Sequence, residues 1–267
     1  MGAAAESGSR EIADLRDSRV LALVLVCTVS FMNVLDITVV SVALGDIGQS
    51  LGASQSELQW VVDAYTLPLG ALLMSAATLS GSLGRLRLFR WGLVLFTVGS
   101  AVCALAPSML VLNVFRALQA VGGAIFLGVG VPMISDRYAA GRERARATGI
   151  YGLISGVAIA VGPLAGGGLV LVAGWRSIFW INVPVGVVSW LASWYVKDGG
   201  ADRRGSEVDW PGTLLAVVAT GGVTVVLLEG AAWGWTSART LGAVAVGLAA
   251  MGLFMAVERR SDSPMVP

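Results

Sequence analysis

The sequence predicts an all-α polytopic membrane protein: a six-helix transmembrane bundle followed by two further transmembrane helices, about eight spans in all. Three observations carry this. Charged residues make up 13% of the 267-residue chain against 56% hydrophobic, with mean hydropathy +0.79, whereas a water-facing domain uses roughly 25% charged residues. Apolar runs recur at close to the ~20 residues that a bilayer-crossing helix needs. Every second connection between those runs is basic, the others holding only Arg176 and Arg239.

The first span is expected over residues 20–44. Before it, segment 1–19 carries Glu6, Arg10, Glu11, Asp14, Arg16, Asp17 and Arg19 and reads as a soluble cytoplasmic tail. A signal peptide would lead sooner into a short apolar core with a small-residue cleavage site. Spans two to six are expected at 59–81, 88–106, 108–134, 147–172 and 177–196, closing a bundle over 20–196. The polar break 197–210 is a cytoplasmic linker, and 211–267 holds two extra spans, at 211–230 and 240–257. Arg85, Arg87 and Arg90 lie between spans two and three, and Arg137, Arg142, Arg144 and Arg146 between spans four and five. Lys197, Arg203 and Arg204 follow span six, and Arg259 and Arg260 follow span eight. By the positive-inside rule both termini of the chain are expected to be cytoplasmic, and the expected location is the cell membrane. Trp60, Trp175, Trp210, Trp233 and Trp235 fall at the expected water boundaries, where an amphipathic ring anchors a span.

Composition also excludes function classes. A net charge of +1 leaves no footprint for nucleic acid. Cys27 and Cys103 both sit inside apolar runs, which fits neither a disulfide framework nor a metal knuckle. With no histidine in the chain, proton chemistry falls to acids and to arginine-coupled acids, and His-ligated metals are out. No nucleophile–base pair appears, so an enzyme is not expected, nor a bound cofactor.

The candidate site consists of the polar residues stranded within the spans. Asp36 is the one acid of "SFMNVLDITVVSVALG", and Asn33 precedes it by one turn. Asp36 lies about 12 Å, at 1.5 Å per residue, from the outer end of span one. Arg116 lies at a similar depth in the oppositely directed span four, so each can satisfy the other where the two helices touch. Asn113, Arg116, Gln119 and Gly123 form one stripe along span four. A charge facing lipid there costs at least ~2.5–3.5 kcal/mol, so the stripe faces the bundle interior or a wet cavity. Asp36, Arg116, Gln119, Asn113 and Asn33 are therefore the expected proton or substrate pathway, the alternative being a structural Asp36–Arg116 ion pair that fixes packing. Asp63, one turn past Trp60, is either part of that pathway or solvated at the interface; Glu229, beside "GAAWGW", is expected to be solvated. In span five, the Gly152–Gly156 and Gly162–Gly166 spacings give a face open to close helix approach, and Pro163 is expected to kink it.

Four stretches make the chain resemble the N-terminal portion of a major facilitator superfamily transporter, in its fourteen-helix drug/proton antiporter branch. "LDITVVSVAL" resembles the helix 1 motif, with Asp36 as its acid, and "LNVFRALQAVGGA" the helix 4 motif, through Arg116 and Gln119. "AVGPLAGG" resembles the antiporter motif, through Gly162, Pro163, Gly166 and Gly167, and "GWRSIFWINVPVG" the signature leading into helix 6. The resemblance implies proton-coupled export of small amphipathic compounds by alternating access, with a proton gradient as the energy source and Asp36 and Arg116 handling proton or substrate. It assigns Arg85, Arg87, Arg142 and Arg146 to cytoplasmic gating loops. It also implies a second six-helix bundle, absent from this chain, to be supplied by a longer chain or a second copy. There are departures. "GSLGRLRLFRW" lacks the acid expected between spans two and three, leaving Arg85, Arg87 and Arg90 without its charge, and Ala120 and Ala158 replace motif glycines. The other readings are a transport-inactive membrane protein kept as an interaction partner or remnant, and an exporter of a metabolite or peptide.

Overall fold

The computed structural model describes residues 2–197 and 210–258, all of whose regular structure is helical. The helices are α1 (Gly2–Leu51), α2 (Gln55–Leu83), α3 (Arg85–Leu105), α4 (Met109–Arg137), α5 (Arg142–Ala173), α6 (Ser177–Trp180), α7 (Asn182–Ser193), α8 (Trp210–Trp233) and α9 (Ala238–Glu258). Among the described residues five helices are long and apolar enough to cross a membrane, or six with the bent α2 counted as one span. Ser177–Ser193 and Leu214–Leu227 are shorter apolar helices at the places of the sixth and seventh expected spans. The linker interior, 198–209, lies outside the described residues, as do Arg259 and Arg260.

Three boundaries differ from the sequence expectation, each for a local reason. The tail is not separate from the first span: α1 is helical from Gly2, since the segment offers no proline and several good helix formers. At its other end α1 runs to Leu51 and α2 starts at Gln55, so the long acidic connection shrinks to residues 52–54. Gly52 turns the chain at φ +64°, a conformation that favours glycine. Ser54 and Glu57 then form a capping box that satisfies the first amides of α2. The sixth span is broken into α6 and α7 at Ile181. Pro184 has no amide to return to the Trp180 carbonyl, so the helix is interrupted one turn before it. Pro163, by contrast, is accommodated within a continuous α5.

Helices α1–α7 pack as one bundle, and the α8–α9 hairpin rests on α2. The α2–α8 contact is antiparallel: Gly70 faces Thr224, Gly221 faces Ala71, and Thr220 Oγ1 donates to the Ala71 carbonyl at 2.9 Å. The bundle holds two apolar clusters. One contains Val29, Met32, Phe89, Phe96, Phe126 and Met133, and the other Val39, Ile47, Cys103, Leu112, Ile178 and Phe179. Along each contributing helix the buried polar residues fall between the two: Asp36 on α1, Ser100 on α3, Arg116 and Gln119 on α4, and Asn182 at the head of α7.

The Trp175 ring is only 4% exposed, so it is no interfacial anchor. It packs edge-on to Phe179 and beneath the Arg176 guanidinium. Trp60 and Trp235 are exposed, as anchors would be, and the Trp210 side chain lies outside the described residues.

Candidate functional site: a buried ion pair between two apolar cores

Asp36 and Arg116 meet. Arg116 Nη1 donates to Asp36 Oδ2 at 2.5 Å, with the two residues 1% and 3% exposed. Burying two charges costs several kcal/mol each, and the pair persists only where further hydrogen bonds complete it. They are present. Asp36 Oδ1 accepts from Gln119 Nε2 at 3.0 Å and from Asn182 Nδ2 at 2.8 Å. Arg116 Nη1 also donates to Gln119 Oε1 at 2.9 Å, and its Nε to the Val61 carbonyl of α2 at 3.2 Å. The guanidinium lies over the Tyr65 ring, 4.1 Å from its centroid, with the Phe179 ring at 5.7 Å. Gln119 Nε2 extends the network to Ser100 Oγ at 2.8 Å. One carboxylate thus gathers donors from α4 and α7, and the arginine ties α2 to the same point.

Glycine makes this geometry possible at two places. At Gly99 of α3, a Cβ would lie 3.0 Å from the backbone of Gln119, so α4 comes close enough for Gln119 to reach Ser100. At Gly123, a Cβ would come 2.5 Å from Asn33 Nδ2 and 2.9 Å from Tyr65 Oη. In that space Asn33 donates to Tyr65 Oη at 2.6 Å.

Of the sequence-expected pathway, the structure brings Asp36, Arg116 and Gln119 into direct contact and places Asn33 one step away, through Tyr65. Asn113 is not joined to them: its Oδ1 is buried without a hydrogen-bond partner among the described residues. Three members were missed by sequence reasoning. Asn182 stands in the quoted "GWRSIFWINVPVG" stretch, and the proline two residues later was a signal that a helix segment starts there. Ser100 and Tyr65 carry no charge and are inconspicuous in apolar runs.

The glycine face of α5 is used over half its length. Gly162 and Gly166 lie against Thr38 and Val39 of α1, where added Cβ atoms would collide, whereas Gly152, Gly156 and Gly167 have open space. The Pro163 position is exposed.

The basic connections gather at one end. Arg85 is not left without a carboxylate: it forms an ion pair with Asp136, at the end of α4, and donates to the Pro132 carbonyl at 2.9 Å. Arg90 donates to Ser193 Oγ at 3.1 Å and lies over Trp194. Arg137 donates to the Lys197 carbonyl at 3.0 Å, Lys197 N to Ser18 Oγ at 3.0 Å, and Tyr138 Oη to the Arg19 carbonyl at 3.2 Å. Partial burial pushes the Tyr138 phenol up. Arg87, Arg142 and Arg146 are exposed, and Arg144 instead braces the connection through the Ser135 and Tyr138 carbonyls.

Residues 26–259 match the Major Facilitator Superfamily model. The chain belongs to the Major Facilitator Superfamily. It is accordingly a multi-pass membrane protein of a transporter family. The multidrug resistance protein Stp of Mycobacterium tuberculosis is 41% identical over 239 residues, covering 88% of this chain and 44% of that relative. The methylenomycin A resistance protein of Streptomyces coelicolor is 35% identical over 236 residues, covering 88% of this chain and 50% of that relative. The chain therefore spans about half the length of the curated relatives it matches. Among solved structures, the peptide transporter POT in complex with sulfate matches with a TM-score of 0.64 at 15% identity, over 90% of this superfamily member and 53% of that chain. That likeness concerns the fold alone.

Proposed function

We propose that the chain is the N-terminal portion of a proton-coupled exporter of drugs or other small amphipathic compounds, of the fourteen-helix branch, working by alternating access with a second bundle. The buried Asp36–Arg116 contact supports this reading most directly. A proton arriving on Asp36 Oδ2 competes for the position that Arg116 Nη1 occupies. It also removes the charge that offsets the buried guanidinium. Arg116 keeps its Val61, Tyr65 and Gln119 contacts, so the acid is the member freed to move, and α1 with it. The back of α1 lies on α5 at Gly162 and Gly166, which passes the shift to the helix carrying the antiporter motif. The names of the relatives support drugs as the cargo class. Gathering of Arg19, Arg85, Arg137, Arg144 and Lys197 at one end supports cytoplasmic termini under the positive-inside rule.

The test is Asp36→Asn in the complete transporter, in everted membrane vesicles with a fluorescent cationic drug. Loss of pH-gradient-driven drug movement, with normal amounts of protein in the membrane, is the expected result. Undiminished gradient-driven transport would refute the role given to Asp36.

A further inference from the structure

We infer that Asp63 and Glu229 form a second proton-binding site, a carboxyl–carboxylate pair sharing one proton across the contact between α2 and α8. The two acids come from helices 166 positions apart in the sequence and are 8% and 6% exposed, so neither is held by water. This replaces the expectation that Glu229 is solvated. The antiparallel register of α2 and α8, with Gly70 against Thr224 and Ala71 against Gly221, sets Asp63 opposite Glu229. Both are acceptors when ionised, and Asp63 Oδ2 is buried with no donor among the described residues. The group opposite the orphan acid is another acid, so the missing donor is a proton. Two carboxylates in one dry site cannot both ionise without strong repulsion, whereas one proton converts the repulsion into a charge-assisted hydrogen bond.

Among the described residues of α2, α8 and α9 the one cation is Arg239, and from α4 Arg116 meets α2 at Val61 and Tyr65, where Asp36 engages it. Asp63 is the ionisable neighbour that acts on Glu229; Glu57, in the first turn of α2, and Arg239, at the head of α9, are exposed to solvent. The Trp235 ring lies against Gly230, next to Glu229, and helps to close the site. Further along the same interface, the Thr220–Ala71 bond and the Gly70–Thr224 contact fix the antiparallel register that sets the two acids opposite each other. The proton is therefore part of what seats the α8–α9 hairpin on the bundle.

The experiment is infrared spectroscopy of the purified full chain in liposomes at neutral pH, in choline chloride, reading the protonated-carboxyl C=O stretch. The expected result is a band in the parent protein that is lost in both Glu229→Gln and Asp63→Asn and kept in Glu57→Gln. Each amide keeps a hydrogen bond to the remaining acid, so the contact survives; should one variant fail to fold, the other decides. A parent protein with no such band, or a band that survives both substitutions, overturns the pair. Loss of the parent band when sodium replaces choline would also overturn it, assigning the site to a metal cation.

Discussion

Removing the arginine while leaving its acid is the most demanding test of the buried pair. In Arg116→Ala, Asp36 keeps Gln119 and Asn182 as donors but loses the one positive charge beside it. Stranding one member of a buried pair costs about 3–5 kcal/mol. Asp36→Asn alone strands the guanidinium instead, though Val61, Gln119 and the Tyr65 ring continue to hold it. The double variant Asp36→Asn/Arg116→Ala strands no charge. It therefore loses less than the sum of the singles, with a coupling of about 2–3 kcal/mol, at the upper end for residues in direct contact.

The protein carries its own reporter for this measurement. Its two cysteines, Cys27 and Cys103, are both buried and unpaired, so a thiol-reactive dye labels them as the bundle opens. Unfolding in detergent, followed by that dye, should place Arg116→Ala lowest, at about 2–4 °C per kcal/mol for a chain of this size class. The double variant should recover part of that loss. Strictly additive single and double effects would refute the idea that the pair's energy is mutual. So would an Arg116→Ala cost below about 1 kcal/mol, the range of an exposed ion pair.

Two further perturbations probe the elements that hold the pair. Asn182→Ala removes one donor to Asp36 and is expected to cost about 1.5–3 kcal/mol, the range for hydrogen bonds to charged groups, while leaving the Arg116–Gln119 contact intact; the same thermal assay reads it. Gly162→Val drives a branched side chain into Thr38 and is expected to destabilise by about 1–3 kcal/mol through overpacking. Gly152→Ala, ten residues earlier on α5 and facing open space, should be neutral or stabilising by up to about 1 kcal/mol.

What was legible in the sequence was whatever carried a charge in an apolar run. Asp36 and Arg116 stand out because a charge there is costly, and counting residues from the helix ends put them at one depth. The ends themselves were misjudged: α1 runs on to Leu51, because Gly48, Gln49 and Ser50 read as a loop but lie before the true stop at Gly52. The count on α4 held, since it starts at Met109 against the expected 108, but α1 ends at Leu51 against the expected 44, so the depth given to Asp36 was too shallow although the pair meets. Uncharged partners were not legible. Ser100 is one serine among many, and Tyr65 matters only because Gly123 leaves room beside it. Nor was the burial of Glu229, which depends on α8 docking on α2, a contact between segments far apart in the chain. Likewise, the carboxylate for Arg85 comes from Asp136, on another helix, not from the connection where the family motif places it.

The break between α6 and α7 and the ion pair belong to one arrangement. The backbone stays helical through Ile181, at φ −62° and ψ −29°, so helical geometry places Asn182 at the head of α7. Pro184 forfeits one backbone bond, and two residues before it the Asn182 amide lies on Asp36, 1% exposed and 2.8 Å away. In a low-dielectric interior a hydrogen bond to a carboxylate is stronger than a neutral backbone bond, so this contact offsets the lost bond as long as Asp36 is ionised. Proton arrival on Asp36 weakens that advantage. Ile181 between the two segments keeps its helical angles, so what the proton changes is the Asn182–Asp36 tie, and α6–α7 and α1 are the elements joined through the charge of that one residue.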